Sequence, residues 1–324
     1  MKPFELGPNQ IRRFYRGGSR IASFRGLPPP GDDAPEDWIA STTTVFGEEE
    51  LGMSKLDGGV RLADVLAADP EAFFEPAHLA AYGPDPTVLL KLLDAGERLP
   101  LHFHPDAAFA AKHLDSSRGK TEAWIILEAA PDACVYVGFV HELVAEELAA
   151  KVEAGDIGSW LAAMNRVGIR GGDSIFVRAG VPHVIDEGIL LLELQEPSDL
   201  SLLLEWKGLM SEDEAFLGLP REVALEALVR APVDPAHLTS SRGSSLFPPE
   251  ADAFFRAELV RVGQRLEAAF SVMLVTEGDG ELLTENAEPI ALRRGSVILV
   301  PFASGAAELA GSLRAIRCRP PVPF

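Results

Sequence analysis

The sequence predicts a mainly β protein with helical insertions, arranged as two barrel-like strand series. Three observations carry this expectation. From residue 87 onward, apolar runs of about four to eight residues recur between Gly, Pro or Asp, the rhythm of an antiparallel sandwich or barrel. A second run of the same kind follows a polar link at 232–249 and keeps the hairpin spacing of the first. The chain, at 324 residues, is long enough for two domains or one large core.

Taken in order, residues 1–60 are rich in Gly, Pro and Ser, with "GLPPPGDDAPEDWIAST" as the densest turn cluster, and predict an irregular, partly stranded segment that wraps a core supplied later. Residues 61–81 have helical spacing, divided by Pro70 and Pro76. "TVLLKLLDA", "LPLHFHP", "EAWIILEA", "ACVYVGFV", "SIFVRAG" and "ILLLELQ" are the strands of the first series. A helical pair interrupts them at 141–168, with Leu143, Leu148 and Val152 on one face, followed by Trp160, Leu161 and Met164. A further helical stretch, "SEDEAFLGLPREVALEALVRA", precedes the link. In the second series, "EGDG" at Glu277–Gly280 predicts a tight hairpin. The expected division is 1–210 as a metal-binding domain with its N-terminal wrap and helical insertion, 211–249 as a helical and linking section, and 250–324 as a metal-free strand domain.

Composition narrows the class. With 49 acidic against 29 basic residues the formal charge is −20, which argues against nucleic acid or an anionic membrane as partner. No apolar run approaches the roughly 20 residues of a membrane helix, and the first twenty residues lack the apolar stretch of a secretory leader. Cys134 and Cys318 are far apart and fit structural thiols in a reducing compartment. A cytoplasmic protein acting on a small molecule is expected, and an anionic substrate would need a local basic pocket.

The chemistry begins at "GERLPLHFHPD" (96–106). A strand has a side-chain period of two, so His102 and His104 share a face and Phe103 takes the other. This spacing, with Gly96 ahead of it, resembles the first motif of the cupin superfamily, and "GDSIFVRAGVPHVI" resembles the second, with hairpin glycines at Gly172 and Gly180 before His183. The resemblance makes Glu122, in "GKTEAW", a fourth ligand beside His102, His104 and His183. Such a set suits one zinc, or another first-row divalent ion such as Fe, Mn, Co or Ni, per chain.

A longer resemblance follows. "TVLLKLLDAGERLPLHFHPD", "GKTEAWIILEA", "GDSIFVRAGVPHVI" and "ELQEPSD" stand in the order found in the type I phosphomannose isomerases, zinc-dependent cupins, from about Pro35 to Asp199. The metal-free second series is similar to the short bacterial form of that family. The resemblance implies two cupin-type (jelly-roll) barrels and the interconversion of an aldose and a ketose phosphate through a cis-enediol, most closely mannose 6-phosphate and fructose 6-phosphate. It carries the metal set over to His104, Glu122 and His183 unchanged, while His102 replaces the usual glutamine. It also makes Glu193, Lys120 and Lys91 polar groups of the pocket; Asp199 is expected to fix a turn.

One departure divides the expectation. Where the family has an arginine five residues after the serine of "SD", this chain has Leu203. Either another cation, with Lys207, Arg170 and Arg178 as candidates, meets the phosphate, or the scaffold serves a different or unphosphorylated sugar.

Overall fold

The computed structural model describes residues 1–28, 31–238 and 244–323. Two short strands, β1 (Phe4–Glu5) and β2 (Gln10–Ile11), and a helix at Ser19–Arg25 lead to β3 (Glu36–Ile39). Helices at Leu62–Ala68, Pro70–Phe73 and Pro76–Tyr82 follow. Pro70 and Pro76 each open a helix, where the missing N–H costs nothing, so the divided pattern of 61–81 becomes three short helices.

The first strand series comprises β4 (Leu89–Ala95), β5 (His102–Phe103), β6 (Glu122–Ala129), β7 (Cys134–Phe139), β8 (Met164–Gly168), β9 (Ser174–Val177), β10 (His183–Ile185), β11 (Ile189–Gln195) and β12 (Leu202–Leu203). These strands, with β2 and β3, make two antiparallel sheets of order β2-β3-β4-β11-β6-β9 and β12-β5-β10-β7-β8. Between β7 and β8 lie helices Ala145–Ala154 and Ile157–Ala162, the expected pair. Met164, read from sequence as part of that helical face, starts β8 instead, because Ala163 ends the helix and the chain pairs with β7 from there.

The second series, β13 (Arg256–Arg261), β14 (Ser271–Thr284), β15 (Ala287–Arg293), β16 (Val297–Val300) and β17 (Ala307–Arg319), forms a third antiparallel sheet that also takes in β1. The hairpin predicted at Glu277–Gly280 is not there: β14 runs through it and turns after Thr284 into β15. The glycines serve close approach instead. A Cβ on Gly278 would lie 1.7 Å from the Ser312 carbonyl oxygen, and one on Gly280 would lie 2.0 Å from that of Ala310. Gly278 also has φ +74°, next to a register shift between Val275 and Glu277 that bends the long strand. Of the predicted link 232–249, residues 239–243 lie outside the described residues.

The six-stranded sheet is covered on both faces, which explains why its strands read as nearly unbroken apolar runs. Leu90 and Leu92 of β4, Leu190, Leu192 and Leu194 of β11, and Ala123 and Ile125 of β6 pack outward against Phe73, Phe74 and the third sheet's Val272, Leu274, Leu299 and Ile316. The alternate residues Leu93, Leu191, Trp124 and Ile126 face inward, toward Val135, Val137 and Ile185 of the five-stranded sheet. On the far side of that second sheet, Leu101, Phe103, Val184 and Leu202 meet Leu148, Val152 and Trp160 of the helical insertion. Polar residues at inward positions of this sandwich are therefore enclosed between its two sheets and gather around one cavity.

Candidate active site and metal centre

Period two decides which side chains meet there. With Leu101 and Phe103 outward, His102 and His104 point inward, and with Val184 outward, so does His183. The register places His183 opposite His102, and Leu203 opposite His102 on the other flank. On the facing sheet Glu193 pairs with Lys91 on one side and Trp124 on the other, and Gln195 pairs with Glu122. The charged residues of "LLKLL" and "LLLELQ" thus lie on the face that looks at the histidines. Two loops are tied together where the ligand motifs meet: the Gly180 N–H donates to the His104 carbonyl at 2.6 Å, and Gly180 takes φ +82° in a turn that a side chain would strain.

His102, His104 and His183 form, among the described residues, a cluster whose possible ligand atoms lie within 4.8 Å of one another. Their ring centroids are 4.2 to 5.0 Å apart. Each ring gives its Nδ1 proton to a backbone carbonyl: His102 to Pro100 at 2.8 Å, His104 to Leu200 at 2.8 Å, His183 to Val181 at 2.9 Å. That fixes the tautomer and leaves every Nε2 as a lone-pair donor, the outer-sphere arrangement of metal-binding histidines. Burial lowers all three pKa values, His104 to about 3, so the rings are neutral and able to ligate near neutral pH.

Glu122 completes the donor set. Its Oε2 lies 3.0 Å from His104 Nε2 and its Oε1 3.3 Å from His183 Nε2, and Trp124 Nε1 donates to Oε1 at 2.9 Å. Burial is the largest single influence and opposes its ionisation, yet Lys120, 3.0 Å away, together with His104 and His183 outweighs it and holds the carboxyl well below its usual range. His183 Nε2 and Glu122 Oε2 are buried without a hydrogen bond, and three imidazoles with a carboxylate match the preferences of a first-row divalent ion. The residues therefore fit a metal.

Lys120 Nζ stands 2.9 Å from His104 Nε2 and 3.7 Å from Glu193 Oε1. Burial works against its charge, but Glu122 and Glu193 raise its pKa above the ordinary value, so it is an ammonium. Lys91 is buried: Nζ is 3.8 Å from Glu36, 3.9 Å from Glu193 and 3.9 Å from Asp199, and sits over the Trp38 ring at 4.8 Å. Glu193 differs from Glu122. Its burial, reinforced by the nearby negative charge of Glu122, outweighs the two lysines and pushes its pKa up to about 7.

The sequence reading missed part of the site. Arg13, Phe14 and Tyr15, from the N-terminal wrap, line the same cavity of about 200 Å³ as His102, Lys120 and Glu193. Arg13 holds Asp199 with two hydrogen bonds, 3.1 and 2.6 Å, and its Nε is 3.1 Å from Glu36. Asp199 is thus a cavity residue and not only a turn former. Tyr15 donates to Glu36, as does Trp38 Nε1 at 2.6 Å. "IRRFYRGG" has no spacing that marks it; only its place in a segment expected to wrap the core hinted at it. The cations that were candidates for a phosphate lie elsewhere: Lys207 donates to the Glu153 carbonyl, Arg170 pairs with Asp173, and Arg178 lines a different cavity with His237. Cys134 and Cys318 are free and buried, as expected of structural thiols. Among the described residues no helix is long and apolar enough to cross a membrane.

No family model matches the chain. It is 29% identical over 235 residues, 72% of this chain and 71% of the relative, to a probable mannose-6-phosphate isomerase, GmuF, of Bacillus subtilis. It is 26% identical over 319 residues, 95% of each chain, to a mannose-6-phosphate isomerase of Streptococcus mutans. Among solved structures, mannose 6-phosphate isomerase from Bacillus subtilis superposes with a TM-score of 0.75 at 23% identity, covering 98% of this chain and 100% of that one. A mannose 6-phosphate isomerase bound with zinc and yttrium gives 0.74 at 15% identity, covering 99% and 100%. The fold class expected from the strand rhythm and the resemblance read from the ordered motifs both hold: by sequence relationship and by fold, the chain is a homologue of the mannose-6-phosphate isomerases.

Proposed function

We propose that this chain is a metal-dependent aldose–ketose isomerase of a sugar phosphate, interconverting mannose 6-phosphate and fructose 6-phosphate. The observation that carries the reading is one cavity lined by His102, Glu122, Glu193 and Lys120, with His104 and His183 clustered against His102, in a chain whose relatives are named for that reaction. One ion per chain is held by the three histidines and Glu122; zinc is the first choice, supported by the donor types and by the zinc in a similar structure. When bound, it supplies Lewis-acid stabilisation of the negative charge that develops on the sugar's O1 and O2.

The chain's own residues supply the rest. Isomerisation moves one proton from C2 to C1 and a second from O2 to O1; the carbon transfer needs a base that is ionised in a useful fraction and can hold the proton between the two carbons. A carboxyl with a pKa of about 7 meets both conditions, and Glu193 is that group. Lys120, charged and within 3.7 Å of Glu193, adds positive potential where the oxyanion forms. Lys91 keeps Glu193 in place from the opposite side, and apolar walls such as Leu93, Leu99 and Ile185 keep bulk water from the reacting carbons.

The test is a coupled assay of mannose 6-phosphate conversion to fructose 6-phosphate on protein whose metal content is measured in the same preparation. Turnover proportional to metal, with both lost in H104A, is the expected result. A fully metallated protein without turnover, or an H104A variant that keeps its metal, overturns the reading.

A further inference from the structure

On the reading that the substrate is a sugar phosphate, something in the cavity must meet a phosphate dianion. Leu203, on the cavity wall, brings no charge to it. The chain's formal charge is −20 and the carboxylates lining the cavity outnumber the cations, so long-range attraction does not help; the phosphate needs a local donor.

Among the described residues three cations line the cavity: Arg13, Lys91 and Lys120. Lys91 is enclosed by three carboxylates and its side chain is 3% exposed. Lys120 is engaged with His104 and Glu122 and is 6% exposed. Arg13 is also paired with carboxylates, Asp199 and Glu36, but it is the most exposed of the three. Its side chain is 17% exposed, and its chain neighbour Phe14, on the same cavity, is 58% exposed, which puts Arg13 toward the mouth.

Chemistry favours it as well. Each Nη nitrogen carries two hydrogens, and the end-on pair with Asp199 at 3.1 and 2.6 Å uses one from each, so the planar fork keeps one free hydrogen on each Nη; these point to opposite edges of the group, and one of them can meet a phosphate oxygen. Asp199 and Glu36 hold the guanidinium in one orientation, and the Phe46 N–H donates to Asp199 at 3.3 Å, so the fork is set before a ligand arrives. We propose that Arg13, delivered by the N-terminal wrap, is the residue that anchors the substrate's phosphate and sets the preference for a phosphorylated sugar, with Asp199 as its positioning residue.

The experiment compares wild type, R13Q and R13K, each as the metal-containing protein. Titration calorimetry with inorganic phosphate gives a Kd, and steady-state assays give kcat and KM for mannose 6-phosphate and for mannose. Expected in R13Q are a phosphate Kd at least tenfold weaker and a KM for mannose 6-phosphate whose rise exceeds that for mannose at least tenfold, with kcat changed less; R13K falls between. Equal losses for the two sugars, an unchanged phosphate Kd, or a wild type that binds no phosphate overturns the inference. If R13Q melts without a cooperative transition, R13K carries the comparison. A wild type that isomerises neither sugar, yet loses phosphate affinity in R13Q, overturns the proposed reaction and leaves Arg13 as an anion anchor.

Discussion

Glu122 and Glu193 stand on neighbouring strands of one sheet, both buried, and have opposite electrostatic fates. Glu122, with Lys120 at 3.0 Å, stays ionised; Glu193, with Lys91 and Lys120 at 3.9 and 3.7 Å, does not fully offset burial and the charge of Glu122. Separation of two carboxyl pKa values is how one pocket holds both a permanent anion and a proton carrier. E193Q should therefore keep the metal and lower kcat about 100-fold or more. In wild type the ascending limb of kcat against pH should fall at or below about 7, since a divalent cation at the histidines favours the carboxylate, and E193Q should lose that limb. Stability provides an independent check. A carboxyl whose folded pKa exceeds its unfolded value binds its proton more tightly when folded, so this group's contribution is full below about 4.5 and declines as pH rises to about 7. Melting temperatures of metal-free protein across that window should show the slope in wild type and a flatter one in E193Q.

At the scale of elements, β4 and β11 do two jobs at once. Their even-numbered leucines bind the first series to the third sheet, and their odd-numbered Lys91 and Glu193 project into the cavity. The position of the site thus depends on the packing of the second series, even though that series contributes no ligand. β14 and β17, in turn, reach their pairing through Gly278 and Gly280, which read as a hairpin because glycine marks tight turns and close backbone approach alike. G278V should destabilise by about 2 kcal/mol or more, since the new side chain meets the Ser312 carbonyl at a positive φ, with a drop of several degrees in melting temperature by calorimetry. A variant that melts like wild type would mean that the strand pair is free to separate there.

For the whole molecule, the N-terminal wrap, both sheets of the first series and the packing of the second all converge on one cavity. Metal bound there should therefore stabilise the entire fold and not one loop. A ligand that binds only the folded state adds about 4 kcal/mol at a thousand times its Kd, so dialysis against a chelator should lower the melting temperature in a single cooperative step, and added zinc should restore it. Loss of metal with no change in melting temperature would place the ion outside the buried donor set.

Sequence by itself determined the strand alternation, the shared face of His102 and His104 and the lack of any histidine in the second series, because these follow from side-chain period and composition, while the resemblance to the cupin motifs joined Glu122 and His183 to that pair. It also suggested Lys120 and Glu193 through their place in the motifs. Only the tertiary structure decided the rest. Burial of Lys91, the cavity role of Asp199 and the arrival of Arg13 depend on contacts between residues 186 and 108 positions apart, such as Arg13 with Asp199 and Lys91 with Asp199, and no local pattern encodes a pairing at that separation. The same holds for Glu193: its residue type was legible, but its pKa is set by desolvation and by charges from β3, β4 and β6, which only the folded chain brings within reach.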